Sequence, residues 1–271
     1  MAQSSVVSKL FGRSKDGAMP QALRPMPFWL SLLMFGIPAL LMVASIYLFA
    51  PWLQSLGISE VKSFFAAHIV PTALLFGAAL VALYRVDGYP ITWRALGARF
   101  RFPRLRVKDG LWALAIFVGL MLGYGVFSQI GMALIVNGLI PIPAGIPALM
   151  DPRAPLTAQL AGGLIRGNWE IVALWFVMLF FNIAGEELWW RGYILPRQEL
   201  AHGRWTWVLH GLLWTAFHAF KWWDIIGLLP VCLIIAFTAQ RLKNNWPVFI
   251  AHYVFNGLAF PVVVMAVLGI L

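Results

Sequence analysis

The sequence predicts an all-α fold: a polytopic transmembrane helical bundle of about seven spans, or eight if one further segment crosses. Three observations predict it. Of 271 residues, 61% are hydrophobic and only 11% charged, against roughly 25% charged in a soluble domain. Mean hydropathy is +0.82. The apolar residues also gather in long runs, most of them near the ~20 residues that carry a helix across a bilayer. A membrane barrel would instead show short alternating segments.

The first run begins at Phe28, after the basic residues Lys9, Arg13, Lys15 and Arg24. That start resembles a signal peptide. The run continues to about Leu53, however, which is too long for a cleavable segment, and no small-residue cleavage site follows. It reads as a retained span over 28–50. Further spans are expected at 63–84, 111–138, 171–200, 205–221, 225–241 and 247–270, the fifth and sixth being short. The Pro- and Gly-rich stretch 140–169 reads as an external loop with a short interfacial helix near 155–165. No repeat and no separate soluble domain is visible. Residues 1–27 form a basic cytoplasmic tail, and 28–271 a single transmembrane domain with the chemistry in 170–260.

Net charge is +10. No nucleic-acid motif accompanies it, so it reads as basic loops facing anionic lipid. The loop from Arg85 to Lys108 mixes Trp93, Leu96, Phe100 and Phe102 with five arginines between Arg94 and Arg106. It reads first as a topology signal, and second as an amphipathic segment on the membrane surface. With Arg204, Arg241 and Lys243 it puts the basic loops on one side of a seven-span chain. The expected orientation is N-terminus cytoplasmic and C-terminus external. The single cysteine, Cys232, excludes a disulfide framework and a thiolate metal cluster.

Chemistry is expected at Glu186 and Glu187, adjacent carboxylates inside an apolar helix, because an intramembrane charge is costly unless paired or wetted. Glu187 and Arg191 are i and i+4 on one face, so they can pair. Glu186 is rotated about 100° away and is left for chemistry. His218 follows Trp214 by four residues, and Asn256 follows His252 by four. Glu186 lies about 16 residues before the turn near His202, and His218 about 16 after it, so both fall roughly 24 Å from that turn. His252 and Asn256 count as somewhat shallower, on the cytoplasmic side of the carboxylate. A buried carboxylate beside a histidine can activate water. A His and an Asn one turn apart can both donate to an oxyanion. Alternatively Glu186, His218 and His252 hold a divalent metal such as zinc, although the HExxH spacing of zinc peptidases is missing. Isolated His68 and His210 read as packing residues.

These motifs, Glu186-Glu187-Leu-Trp-Trp-Arg191, Trp214-Thr-Ala-Phe-His218 and His252-Tyr-Val-Phe-Asn256, resemble those of the CAAX prenyl protease and bacteriocin-processing family of intramembrane proteases. The resemblance covers about 170–260. It implies a helical membrane endopeptidase with a cytoplasm-facing cavity. It also implies Glu186 and His218 as water activators, His252 and Asn256 as the oxyanion pair, and a mechanism described in the family both with and without metal. The family's second motif usually begins with Phe. Trp214 departs from it, and the expectation is an effect on substrate fit more than on chemistry.

The expected function is hydrolysis of peptide bonds near the cytoplasmic side, in peptide or protein substrates that are prenylated or otherwise membrane-associated. A bacterial inner membrane is the expected location. The competing classes are a proton- or cation-coupled transporter, against which the lack of a repeat weighs, and a non-proteolytic membrane adaptor or immunity protein.

Overall fold

The elements follow the apolar runs, and in the described residues all regular structure is helical. A computed structural model describes residues 22–154, 160 and 165–270; most of the helix expected near 155–165 lies outside them. Five helical stretches are long and apolar enough to cross a membrane. They are α1 (Phe28–Ser55), α2 (Glu60–Val86), α4 (Val107–Val136), a 74-residue stretch Trp169–Leu242, and a last one, Trp246–Leu268. Between α2 and α4 sits a short helix α3 (Trp93–Arg99), started by the Thr92 side chain, which accepts from Ala95 N.

The 74-residue stretch is several helices in series. α5 (Trp169–Glu186) runs directly into a π-helical segment, Glu187–Ile194, and then α6 (Leu195–His202). After a tight turn come α7 (Thr206–Phe217), a 3-10 segment His218–Asp224, and α8 (Ile225–Leu242). The fifth expected span, 205–221, therefore ends as an α-helix at Phe217, and Lys221 is non-helical with φ −136° and ψ 58°. The last stretch divides into α9 (Trp246–Gly257) and α10 (Phe260–Leu268). Pro261 explains the division: it has no N–H to bond back one turn.

The connections alternate between two ends. At one end, Met26 N donates to the Arg197 carbonyl, Asn245 N to the Arg101 carbonyl, and Gln240 to the Gly203 carbonyl. At the other, Ala148 N donates to Glu60, Gly167 N to the Val267 carbonyl, and the Trp223 indole to the Met150 carbonyl. The Arg85–Lys108 loop is docked at the first end through Arg99 and Arg101, while Trp93 stays exposed. Arg99 pairs with Asp87 at 2.7 Å and donates to the Gly192 carbonyl at 3.2 Å, while Arg101 grips both oxygens of Glu199 at 2.8 Å.

Two close approaches fix the central helix. A β-carbon on Gly185 would overlap the Thr72 carbonyl of α2, and one on Gly192 would meet the Phe100 ring at 2.9 Å. Small residues at such crossings let backbones pack without a gap, which drives helix association in lipid. Gly185→Ala is expected to destabilise the protein by about 1–3 kcal/mol through overpacking. Thermal unfolding in detergent would read this as a lowered midpoint, and an unchanged midpoint would mean that α2 and α5 are free to separate.

Candidate active site

Glu186 closes α5 and Glu187 opens the π segment. The wider π register has a local cause. Pro196, at the start of α6, cannot donate to the turn before it, and Leu195 N bonds five residues back, to Trp190 O. Such segments often re-aim side chains at functional sites. Here Glu186, Glu187 and Arg191 are all buried.

The two carboxylates have different partners. Glu187 takes Arg191 Nε at 2.8 Å on one oxygen and Arg191 Nη2 on the other, which also meets His252 Nδ1 at 2.8 Å. Glu186 accepts the Trp214 indole N–H at 2.7 Å. The Arg191 guanidinium lies 3.8 Å from the centre of the Trp214 ring, and the His252 ring meets that indole edge-on at 5.4 Å. One chain of contacts thus joins Glu186, Trp214, Arg191, Glu187 and His252.

His218 stands at the end of α7, where Nδ1 lies 2.9 Å from the Trp214 carbonyl. A carbonyl can only accept, so Nδ1 carries the hydrogen, and Nε2 of the neutral ring keeps its lone pair. In α9, Asn256 Nδ2 donates to the His252 carbonyl at 3.2 Å; a primary amide has a second N–H to offer.

Glu186, His218, His252 and Asn256 line a common cavity of about 180 Å³, together with Trp214 and Asn182. The depth count left His252 and Asn256 shallower than the carboxylate, yet the cavity gathers all of them. His68, read from sequence as a packing residue, also lines it. His210 does pack: its Nδ1 meets Gln198 Oε1 at 2.7 Å in the core. Sequence missed two contacts. The Glu187–His252 link joins residues 65 apart, for which no local pattern exists. The Trp214 N–H on Glu186 was signalled only by the departure from Phe, which was read as affecting substrate fit more than chemistry.

The metal alternative requires Glu186, His218 and His252 to converge on one point. Among the described residues, no group of three His, Cys, Asp or Glu side chains is placed to hold a metal ion. The residues as arranged do not fit a zinc centre.

Residues 168–258 match the family described as type II CAAX prenyl endopeptidase Rce1-like. The match contains every motif residue from Glu186 to Asn256, so the resemblance read from the motifs is shown, and it supports a CAAX-type intramembrane endopeptidase in general terms. No curated protein and no solved structure matches the chain.

Trp214→Phe keeps the ring over Arg191 and removes the donor to Glu186. Loss of a hydrogen bond to a charged group is worth about 1.5–3 kcal/mol, so turnover is expected to fall about tenfold or more, measured with a reporter peptide; unchanged turnover would make the bond incidental. Arg191→Ala strands the buried Glu187 carboxylate and is expected to cost on the order of 3–5 kcal/mol, visible as a lower unfolding midpoint even in an inactive background.

Proposed function

We propose that the chain is an intramembrane endopeptidase in which Glu186 is the general base, acting on water held in the cavity beside His218. One observation carries the reading: the two neighbouring carboxylates are unequal. Glu187 is occupied by Arg191 and His252, whereas Glu186 holds one indole N–H and lines the cavity.

The reaction follows from those positions. Glu186 takes a proton from water as the water oxygen attacks the scissile carbonyl carbon. His218 Nε2, with its lone pair, holds the same water. The carbonyl oxygen becomes an oxyanion. His252, fixed at Nδ1 by Glu187, offers Nε2–H when it is an imidazolium, and Asn256 offers its second amide N–H. Collapse of the tetrahedral intermediate breaks the C–N bond, and Glu186 returns its proton to the leaving amine. Glu187 and Arg191 touch no reacting atom; they position His252 and Trp214. The substrate class is a membrane-associated peptide or protein, lipidated or not, and the setting is a bacterial inner membrane with the N-terminus in the cytoplasm.

Glu186→Gln preserves shape and the bond from Trp214 but cannot take the proton. Purified Glu186→Gln protein is expected to retain no more than background cleavage of a reporter peptide while unfolding at the parent temperature. More than a few per cent of parental turnover would remove Glu186 from its role. The same assay separates a peptidase from a transporter or an idle adaptor. Asn256→Ala is expected to lose about 10²–10³ in turnover with little change in binding. Chelator-washed protein is expected to stay active; stoichiometric zinc, with activity lost on chelation and restored by metal, would reject the metal-free mechanism.

A further inference from the structure

A groove of about 600 Å³ lies at the end of the bundle where the Arg85–Lys108 loop is docked. Its size falls within the ~300–1,000 Å³ of sites that take small molecules. Phe180, Ala184 and Leu188 form its floor. The cavity beside Glu186 is lined instead by Met178, Asn182 and Glu186 itself. Along α5 both sets repeat every four residues and are offset by two, which is about 200° around a helix. α5 therefore stands between the two spaces, and they have no lining residue in common.

The groove is built for hydrocarbon. α2 supplies Leu80 to one wall, α9 supplies Trp246 and Phe249 to another, and α3 roofs it with Trp93 and Leu96. The Trp246 indole N–H is taken by the Pro103 carbonyl at 2.6 Å, and the Thr92 hydroxyl oxygen by Ala95 N. A peptide backbone laid here would find its N–H and C=O groups unpaired, which is costly in an apolar site. A hydrocarbon chain has no such groups to satisfy.

The rim is cationic. Arg94 follows Trp93 and Arg104 follows Pro103, and both arginines are exposed. Arg99, Arg101 and Lys243, also at this end, are matched by Asp87 and Glu199. Arg104 enters no ion pair among the described residues. Trp93 is 89% exposed, as suits an indole at the level of lipid headgroups.

We propose that this groove binds one anionic phospholipid, with an acyl chain against Ala184 and Leu188 and its phosphate at Arg94 and Arg104. An apolar tail with an anionic head matches an apolar groove with a cationic rim. A zwitterionic lipid leaves the excess of positive charge unanswered. A lipid group attached to a substrate would lie on the far side of α5 from Glu186. The site does not depend on the peptidase reading. It gives the attraction of the basic loop for acidic lipid a single place, and the bound chain supports the helix of Glu186 and Glu187 from the face opposite the reaction.

The test uses delipidated protein in detergent, with phosphatidylglycerol or phosphatidylcholine of the same acyl chains. Retained lipid is counted by native mass spectrometry, which needs no activity. One phosphatidylglycerol is expected to be retained, with a preference of about fivefold for each of the two cations. Its binding is expected to raise the unfolding midpoint until the site is full. Arg94→Gln with Arg104→Gln is expected to bring retention down to the phosphatidylcholine level. Leu80→Trp places an indole in the groove and is expected to remove the adduct of either lipid. Leu96→Trp, from the roof, serves the same purpose should Leu80→Trp not fold. Equal retention of the two lipids by the parent would reject the headgroup site. Undiminished phosphatidylglycerol binding by a folded, groove-filled variant would place the lipid elsewhere and reject the groove. Displacement of the phospholipid by a prenylated peptide, and not by the same peptide without its lipid, would assign the groove to the substrate and overturn the proposal.

Discussion

The burial of the Arg191 guanidinium is the constraint on which the site depends. An isolated charge of that kind cannot be carried in a helical core, and removing a single partner of a buried pair leaves the other exposed to the full desolvation penalty. Arg191 has no exposed surface; it is met by both oxygens of Glu187 and by the face of the Trp214 ring. Each partner is then held where chemistry can use it. Glu187, once oriented, fixes His252 Nδ1. Trp214, once stacked, can aim its N–H only toward Glu186. A structural ion pair thereby ties together a carboxylate, an indole and an imidazole that belong to three different helices, Glu186 in α5, Trp214 in α7 and His252 in α9. The cost of burying these side chains is offset within one connected network, in which Arg191 Nη1 is left without a hydrogen-bond partner.

The π segment makes the network possible. In a continuous α-helix, successive residues are separated by about 100°, and Pro196 would face an i−4 carbonyl that it can neither bond nor clear. Widening the turn over Glu187–Ile194 removes that conflict. It also lets Gly192 come against Phe100 and expose its carbonyl to Arg99. The helix that carries Glu186 and Glu187 is thus braced from behind by the basic loop at the same place where its register changes.

What the sequence revealed divides along local and long-range contacts. Composition and run length suffice for an all-helical membrane protein, because only a hydrogen-bonded helix or a closed barrel can hide its backbone in lipid. The Glu187–Arg191 pair is legible because i and i+4 share a face. The grouping of Glu186, His218, His252 and Asn256 was visible as three motifs in order, and their common cavity gives that grouping a place. The break of the fifth helix at Phe217 was not visible, since His218–Asp224 is as aromatic as the helix before it. The membership of His68 in the cavity was not visible either: its element lies more than a hundred residues from the motifs.

The cations of the Arg85–Lys108 loop divide into two sets. Arg94, Arg104, Arg106 and Lys108 are exposed on the basic loop. Arg99 and Arg101, in the same loop, turn inward to Asp87, Glu199 and the Gly192 carbonyl. The same loop therefore carries exposed cations on one side and braces the helix of Glu186 and Glu187 on the other. At the opposite end, each of Lys62, Arg153 and Lys221 is balanced by a neighbouring carboxylate, so the excess of cations lies at the end where the loop is docked.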